Sequence, residues 1–424
     1  MVWILLCSII ILFGLGMPVA IVLGLGTTIA LISGALPIEV IPTRLLSGVD
    51  SFILLAIPFF MLAGQIMVEG GLAQRLIRFA ELLVGWLPGG LGMATIAASV
   101  EFADISGSCT SDTAAIGSIM IPGMQKRGFS SGFAAAVQAA GGSLGMLFPP
   151  AISLIIYGAV TSTSIGRLFL SSIIPGILMA LSFMAVIFFV SKKKHYPVEK
   201  FPGFKEAWSI FKDGILALIA PVIILGGIVS GVFTPTEAGV VAVFYVLVIT
   251  GLVYRSLTWE RLRKAFVGAI ITSSMVVFII ANASLLAWLL VTQMIPQQIS
   301  MFLIQTIHNP IVLLIGVQIF LILIHTVLET NSTIIVIVPI LLPILNQMGI
   351  DPYLFGILLM MNSAVGIILP PIGLNLYISS GIAGISLERA AKEIIPFASI
   401  ILLDIMIVIV FPHLVSFLPN LIGG

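Results

Sequence analysis

The sequence predicts an all-α polytopic membrane protein with two inverted five-span repeats, each containing a re-entrant helical hairpin and a broken helix. Three observations support this fold class. Hydrophobic residues make up 60% of the chain and charged residues 8%, and the mean hydropathy is +1.26, far from the values of soluble globular proteins. Positions 221 residues apart match without a gap from Ser111 to Pro175. Nearly all basic residues fall on one side of a membrane if the second repeat is inverted.

The first element class is the membrane span. A helix of about 20 apolar residues crosses the roughly 30 Å of hydrocarbon in a bilayer. Ten segments suit this role, five in each half, and the apolar N-terminal stretch is interpreted as a retained span, not a signal peptide. They lie at about residues 2–16, 17–35, 48–68, 130–158, 167–190, 212–231, 236–254, 266–290, 353–382 and 391–415.

Two further segments lie between the third and fourth spans of each half. One is amphipathic, and the other is apolar with a polar centre flanked by arms of roughly 12 to 18 residues, which suits a re-entrant hairpin better than two crossings. The amphipathic segments are 72–86 and 296–308. The hairpins are 89–125, around SGSCTSD (Ser106 to Asp112), and 310–347, around ETNST (Glu329 to Thr333).

The residues that the two halves share are chiefly residues that break helices. Gly145 pairs with Gly366, and Pro149-Pro150 falls on Pro370-Pro371. Glycine lets backbone carbonyls turn out of a helix, and proline removes an N–H donor. We therefore expect broken helices at 130–158 and 353–382, each facing the hairpin tip of its own half.

The basic residues predict the membrane topology, because Lys and Arg in short loops stay in the cytoplasm. With five crossings in each half and the N-terminus outside, only Arg44 and Arg167 of the 18 Lys and Arg residues lie outside. The loop 191–211 is then cytoplasmic, and both termini are periplasmic. Its basic run is interpreted as a topology anchor in preference to a lipid-recognition or nucleic-acid patch.

Helix ends and unwound backbone at the membrane midplane leave N–H and C=O groups that need partners. Ions and substrate can supply those partners, and hydroxyl, amide and carbonyl oxygens are the hard donors expected for Na⁺. Two related sites predict at least two Na⁺ ions. Asp112 and Glu329, at the hairpin tips, are the best acidic candidates. For any single Ser, Thr or Gly the alternative is ordinary close packing between helices.

Three other ionisable residues in apolar segments have structural alternatives. Glu237 is either a site residue or a first-turn acid at a helix N-terminus. Asp404 is expected to hydrogen-bond to a neighbouring helix. His325 lies one helical turn before Glu329, which allows a proton relay, but a structural role is favoured.

Several function classes find no support in the sequence. A net charge of +1 gives no indication of nucleic-acid binding, and Cys7 and Cys109 lack metal-site spacing. No P-loop, HExxH or dinucleotide fingerprint is present. The G-x-S-x-G match at Gly141 to Gly145 lacks the strand and His–Asp pair of a hydrolase. We expect no catalytic residues and no enzymatic activity.

A set of motifs carries a resemblance over essentially the whole chain. They are GMPVAI (Gly16 to Ile21), IPFFMLAG (Ile57 to Gly64), SGSCTSDTAAIG (Ser106 to Gly117), FPPAISLIIYG (Phe148 to Gly158), GVFTPTEAG (Gly231 to Gly239), ETNST and LPPIGLNLY (Leu369 to Tyr377). With these motifs the chain resembles the large membrane subunit, DctM-like, of TRAP (tripartite ATP-independent periplasmic) transporters in the ion transporter superfamily.

The resemblance implies an elevator-type transporter in the bacterial inner membrane. The scaffold would comprise residues 1–68 and 212–290, with 72–86 and 296–308 as arm helices, and the transport domain 89–190 and 310–415. Such subunits import organic acids with Na⁺, together with a small four-helix membrane subunit and a periplasmic substrate-binding protein. Because the N-terminus lacks the small subunit's sequence, a separate small chain is expected.

The resemblance also implies specific site residues. Substrate contact would fall to Ser108, Ser153 and Glu329, in the cavity between the hairpin tips. The sodium shells would draw on Ser106, Gly107, Asp112, Gly141, Gly145, Thr330, Asn331, Ser332, Asn362 and Gly366. The sialic-acid type is the nearest resemblance, and the absence of arginine from the predicted cavity favours a polyhydroxylated monoacid. A C4-dicarboxylate substrate, or a partner-independent Na⁺ or H⁺ symporter of the same fold, is the alternative.

Overall fold

The computed structural model describes residues 1–198, 201, 203–326, 328–371 and 373–422, without the side chains of residues 104–106, 300, 302 and 304. Twenty α-helices occupy these described ranges. In the first half they are α1 (Val2–Gly14), α2 (Val19–Ser33), α3 (Val40–Val49), α4 (Ala56–Glu69), α5 (Leu72–Val84), α6 (Gly90–Ser106), α7 (Cys109–Lys126), α8 (Ser131–Ser143), α9 (Ile152–Thr161) and α10 (Ile165–Lys194).

The second half contains the remaining ten helices. They are α11 (Phe204–Val229), α12 (Pro235–Val248), α13 (Trp259–Thr292), α14 (Ile295–Thr306), α15 (Pro310–His325), α16 (Thr330–Gln347), α17 (Pro352–Ile368), α18 (Leu374–Ala383), α19 (Leu387–Val410) and α20 (His413–Ile422). A 3-10 turn (Phe52–Leu55) precedes α4, and a π-helical turn (Ile249–Val253) ends α12.

The internal repeat of the sequence is also a repeat of helices. α7 and α16 are both 18 residues long, and α16 begins and ends 221 residues after α7. α17 likewise begins 221 residues after α8. The hairpins are α6–α7 and α15–α16, and the broken helices are α8–α9 and α17–α18. Pro149-Pro150 and Pro370-Pro371 both have cis peptide bonds and lie in the two breaks.

Seven helical segments of the described chain are long and apolar enough to cross a membrane. They include the long helices α10, α11, α13 and α19, and also the hairpin arm α16. α1 and α2 are shorter, and each broken helix is divided into two short helices. The all-α polytopic fold class predicted from composition is confirmed.

Some predicted boundaries differ from the structure. The predicted loop 191–211 is shorter, because α10 continues to Lys194 and α11 already begins at Phe204. α3 lies in a stretch for which no element was predicted, and α20 forms a separate helix after Phe411 and Pro412. These short or amphipathic helices lack the 20-residue apolar run that identifies a span.

The helices pack into two groups. α13 contacts α2, α3 and α4, and α12 contacts α4, so these helices form one group. The other group centres on α8 and α17, which contact the hairpins and α19. Residues 132–143 of α8 are all buried, since this helix consists mainly of Ala and Gly and lets its neighbours approach closely.

The two repeats interlock within the second group. α18, from the second repeat, contacts α7 of the first, and α9, from the first repeat, contacts α16 of the second. Each broken helix therefore joins its own hairpin to that of the other repeat. This exchange brings the two hairpin tips to the same region.

Candidate functional site

The tip of the first hairpin depends on Gly107. This residue has a φ of +58°, and a Cβ here would lie 2.6 Å from the Pro150 carbonyl oxygen. Only glycine adopts this backbone without cost and also leaves room for the approaching carbonyl. The tip is thereby held against the break between α8 and α9.

The two hairpin tips line one cavity of about 130 Å³. The three residues predicted to contact substrate, Ser108, Ser153 and Glu329, all line it. Thr272 of α13 and Met61 of α4 form the wall contributed by the other helix group. The structure therefore brings the predicted substrate residues together, and their role in binding stays a prediction.

A chain of hydrogen bonds crosses from one repeat to the other in this cavity. The Ser153 hydroxyl donates to Asn331 Oδ1 at 3.0 Å, and Asn331 Nδ2 donates to Glu329 Oε1 at 2.8 Å. The side chains of Ser153 and Asn331 are buried, whereas Glu329 is open to the cavity. The chain fixes the carboxylate of Glu329 relative to α9.

A second cavity of about 200 Å³ adjoins the first, and Glu329 and Thr330 line both. Ser363 and Gly366 of α17 form part of its wall. The tip of the second hairpin thus faces the polar stretch of its own broken helix, which is the arrangement expected from the sequence.

Oxygen atoms suited to a hard cation cluster beside the first tip. Asp112 is fully buried, and a Cβ on Gly145 would lie 3.0 Å from its Oδ2. A Cβ on Gly142 would meet the hydroxyl of Thr113 and the Cys109 carbonyl. Asn375 Oδ1 is buried and has no hydrogen-bond partner among the described atoms. Carboxylate, hydroxyl, amide and carbonyl oxygens in this arrangement fit Na⁺.

The corresponding region of the second repeat is also polar and buried. Ser332 is fully buried, and its hydroxyl has no hydrogen-bond partner within the described part of the chain. Thr330 and Asn331 precede it at the start of α16 and are also buried. An unsatisfied buried hydroxyl at a helix start needs a ligand or water, so this set also fits a cation.

Asn362, predicted as a cation ligand, makes hydrogen bonds to a neighbouring helix. Its Nδ2 donates to the carbonyl oxygen of Gln318 at 2.8 Å and to Gln318 Oε1 at 2.9 Å. Its Oδ1 lies 3.0 Å from His325 Nδ1. The amide therefore joins α17 to α15 and is already used by protein partners.

His325 makes buried contacts of the kind that a structural role requires. The His325 Nε2 lies 2.9 Å from the Ser363 hydroxyl. A Cβ added to Gly366 would lie 2.4 Å from the Cβ of His325. Gly366 thus allows α15 to pack closely against α17. In the first repeat, Gly141 has an analogous packing role, because a Cβ there would lie 2.7 Å from the Ser99 hydroxyl. The side chain of Ser106 lies outside the described residues.

Sequence reasoning missed several polar residues at these sites. They are Thr113, Gln318 and Asn375. Thr113 lies within the motif SGSCTSDTAAIG and Asn375 within LPPIGLNLY. Their places in these motifs could have identified them as site residues. Gln318 is in the middle of an otherwise apolar arm, where a polar residue is expected to be functional or satisfied by a partner.

The two remaining acidic residues have structural roles. Glu237 Oε2 accepts a hydrogen bond from the Thr234 backbone N–H at 2.8 Å, in a capping box at the start of α12. The Ser182 hydroxyl donates to Asp404 Oδ1 at 2.9 Å and joins α10 to α19. The helix-terminus alternative for Glu237 is therefore confirmed.

Comparison with known proteins identifies the family. The family described as "Tripartite ATP-independent periplasmic transporter, DctM component" matches residues 6–414. The chain is 37% identical over 374 residues to the 2,3-diketo-L-gulonate TRAP transporter large permease protein YiaN of Escherichia coli, covering 88% of each chain. It is also 37% identical to the C4-dicarboxylate TRAP transporter large permease protein DctM of Vibrio cholerae, covering 96% of this chain and 95% of that one.

Two further similarities bear on substrate and fold. The sialic acid TRAP transporter large permease protein SiaM of Vibrio cholerae is 34% identical, with 90% of this chain and 89% of that one covered. The crystal structure of the YdaH transporter of Alcanivorax borkumensis superposes with a TM-score of 0.60 over 88% of this chain and 87% of that one, at 15% identity. This structural likeness shows a shared fold. From the family match and these relatives, the chain belongs to the DctM family, the large permease component of TRAP transporters, and is a transport protein and not an enzyme.

Proposed function

We propose that this permease imports an organic acid by secondary active transport coupled to Na⁺. The observation that carries the proposal is the hydrogen-bonded chain Ser153–Asn331–Glu329, which links the tip of one repeat's hairpin to the other repeat's broken helix. A substrate in this cavity contacts both repeats at once. Binding there can therefore couple the two halves of the transport unit.

At least two Na⁺ ions are proposed, one beside each hairpin tip. Asp112, Thr113 and Asn375 would hold the first, together with backbone carbonyls near Gly142 and Gly145. Thr330, Asn331 and Ser332 would hold the second. Bound cations would supply positive charge for the substrate carboxylate, because the described lining of both tip cavities contains neither Lys nor Arg.

The proposed substrate is a hydroxylated monocarboxylate, with sialic acid the first compound to test. The tip cavity is lined by hydroxyl groups, which can bind substrate hydroxyls. They belong to Ser108, Thr110, Ser153, Thr272 and Thr330. A C4-dicarboxylate is the second candidate, since a relative named for that substrate is as similar as the one named for 2,3-diketo-L-gulonate.

We propose an elevator mechanism in the bacterial inner membrane, with both termini periplasmic. The group α2, α3, α4, α12 and α13 would be the fixed scaffold, and the hairpins and broken helices would move as the transport domain. A separate small four-helix membrane subunit and a periplasmic substrate-binding protein would complete the system. The grouping of helix contacts and the distribution of basic residues support this arrangement.

The test is reconstitution of the permease with its co-purified small subunit into proteoliposomes. Labelled sialic acid, a C4-dicarboxylate and 2,3-diketo-L-gulonate are supplied in parallel, with the binding protein and an inward Na⁺ gradient. We expect one of these acids to accumulate, and its accumulation to require both the binding protein and the Na⁺ gradient. Accumulation without the binding protein would overturn the proposal of a three-component transporter. Uptake that does not depend on Na⁺ would overturn the proposed coupling to Na⁺.

A further inference from the structure

A large polar cavity of about 530 Å³ lies away from the hairpin tips. Its walls come from the end of α4, from α5, from α7 and from the start of α13. Three arginines line it, Arg75 and Arg78 from α5 and Arg261 from α13. Glu69 and Asp213 are the acidic residues of the lining. We call this space the basic cavity.

The three arginines are not equivalent. Arg75 forms an ion pair with Asp213, and its guanidinium lies over the ring of Tyr254 at 3.8 Å from the centroid. These contacts hold Arg75 in place and offset its charge. Arg78 and Arg261 are exposed on the wall of the cavity. Arg261 donates a hydrogen bond to the Ser256 carbonyl oxygen at 2.8 Å, and Arg78 interacts electrostatically with Glu81 on its own helix. Both guanidinium groups are accessible to an anion in the cavity.

A neighbouring cavity extends the positive region. It has a volume of about 450 Å³ and shares Arg75, Arg78 and Asp213 with the basic cavity. Lys212 adds a further positive charge to its lining. Positive side chains around a concave, partly water-excluded surface attract anions more strongly than scattered surface charges do.

Three helices run from the hairpin-tip cavity to the basic cavity. The nearest lining residues are Met61 and Val68 on α4, Thr110 and Ala115 on α7, and Thr272 and Arg261 on α13. At 1.5 Å per helical residue the two cavities are separated by roughly 8 to 16 Å along these helices. The stretch of α7 between them includes the small side chains of Ser111 and Ala114, of which Ala114 is exposed.

The two hairpins differ in how they meet the scaffold group. α16 packs against α13 and α14, whereas α7 packs mainly on α6, α8 and α18. α7 also contacts α5, and Ala114 and Ser118 on its outer face are exposed on the side that leads to the basic cavity. In the proposed topology this side is cytoplasmic.

We propose that the basic cavity is an anion-binding exit vestibule, in which Arg78 and Arg261 receive the substrate carboxylate after it leaves the hairpin tips. This proposal rests on the proposed import of an organic acid. A topology anchor requires only positive charge on the cytoplasmic side. Here, arginines from two separate helices line one cavity together with the exposed Ser118 of the hairpin arm α7, which an anchor does not require.

The first experiment measures the potential in the cavity without using transport. Ser118→Cys is introduced into a Cys7→Ser, Cys109→Ser background of the complex with the small subunit. The rates of modification by the anionic reagent MTSES and the cationic reagent MTSET are compared at low salt. We expect the ratio of the MTSES rate to the MTSET rate to fall about tenfold when Arg78→Gln and Arg261→Gln are added. At high salt the decrease should be smaller, because salt screens the charges.

The matched control is Arg263→Gln with Lys264→Gln. These residues are on the same helix as Arg261, carry the same total charge and are absent from the described linings of both cavities. We expect the control to leave the labelling ratio within about twofold. An unchanged ratio in Arg78→Gln/Arg261→Gln, or an equal fall in the control, would overturn the proposal.

The second experiment measures release, in the chain with its natural cysteines. Under the conditions of the uptake assay, Arg78→Gln/Arg261→Gln should lower the maximal rate about fivefold relative to the control pair and leave the apparent affinity on the binding-protein side unchanged. Equal maximal rates in the two variants would overturn the exit role. If the unsubstituted complex transports no organic acid, the proposed function fails, and the labelling ratio still decides whether the vestibule binds anions.

Discussion

The Ser153 hydroxyl donates a hydrogen bond to Asn331 Oδ1 at 3.0 Å, although 178 residues separate the two in the chain. Ser153 lies in the first turn of α9 and Asn331 in the first turn of α16, so the bond joins the starts of two helices from different repeats. The same Asn331 amide donates to Glu329. One side chain thus positions polar groups on both sides of the tip cavity.

Replacing Asn331 by Ala should therefore disrupt the cavity more than replacing Ser153. Asn331→Ala removes both hydrogen bonds, and we expect the Na⁺-driven uptake rate to fall at least about tenfold, equivalent to about 1.4 kcal/mol. Ser153→Ala removes only one bond and should reduce the rate less. The two variants are compared by their initial uptake rates in proteoliposomes. Equal rates would contradict the proposed central role of Asn331.

Asp112 provides a test of the first cation site. In Asp112→Asn the side chain keeps its shape and loses its negative charge, so we expect the Na⁺ concentration for half-maximal uptake to rise about tenfold. Asp404→Asn is the control, because Asp404 is also buried but bonds to Ser182 between α10 and α19. An unchanged sodium response in both Asp112→Asn and Asn331→Ala would remove the hypothesis of cation binding at the tips.

Gly107 allows a test of the tip geometry. Gly107→Ala introduces a Cβ 2.6 Å from the Pro150 carbonyl oxygen at a φ of +58°, and Gly128→Ala introduces one at a φ of +86° with no atom within 4 Å. Both variants bear a left-handed backbone cost of about 1 kcal/mol, but only the first also has the clash. We expect a larger decrease in Tm in Gly107→Ala than in Gly128→Ala, and a loss of uptake in Gly107→Ala alone. Indistinguishable behaviour of the two variants would show that the close approach to Pro150 is unimportant.

His325 is predicted to contribute to stability through its contacts with α17. In His325→Ala, Asn362 Oδ1 and the Ser363 hydroxyl lose a partner in a buried site, which costs about 1 to 3 kcal/mol. Thermal unfolding of the purified complex should show a clear decrease in Tm. The control is His308→Ala, which removes an exposed histidine between α14 and α15. A Tm equal to that of the control would mean that the network does not stabilise the hairpin.

Much of the fold could be predicted because its determinants are local. The runs of apolar residues predict membrane helices, and the repeated Gly and Pro positions predict where the helices break. The matching bounds of α7 and α16 follow the 221-residue repeat directly. Short helices such as α3 and α20 could not be predicted in this way, since their boundaries depend on how the chain turns at the end of a longer helix.

The candidate site was predictable as a set of segments but not as a set of contacts. Ser108, Ser153 and Glu329 meet in one cavity because α9 contacts the hairpin of the other repeat. The sequence does not show that the Asn362 amide bonds to Gln318 and that its oxygen faces His325. Asn375 reaches the first repeat, where its Nδ2 lies 3.4 Å from the Ala139 carbonyl oxygen.

The sequence by itself determined the class of the protein, its duplication and the positions of its helix breaks, because hydropathy and the backbone restrictions of Gly and Pro act within a few residues. Only the tertiary structure decided which polar groups become partners across the repeats and which remain open to a cavity. It also placed Arg78 and Arg261, from distant segments, on one wall. The physical reason is that a helix offers several faces, and packing against its neighbours selects the face that each side chain uses.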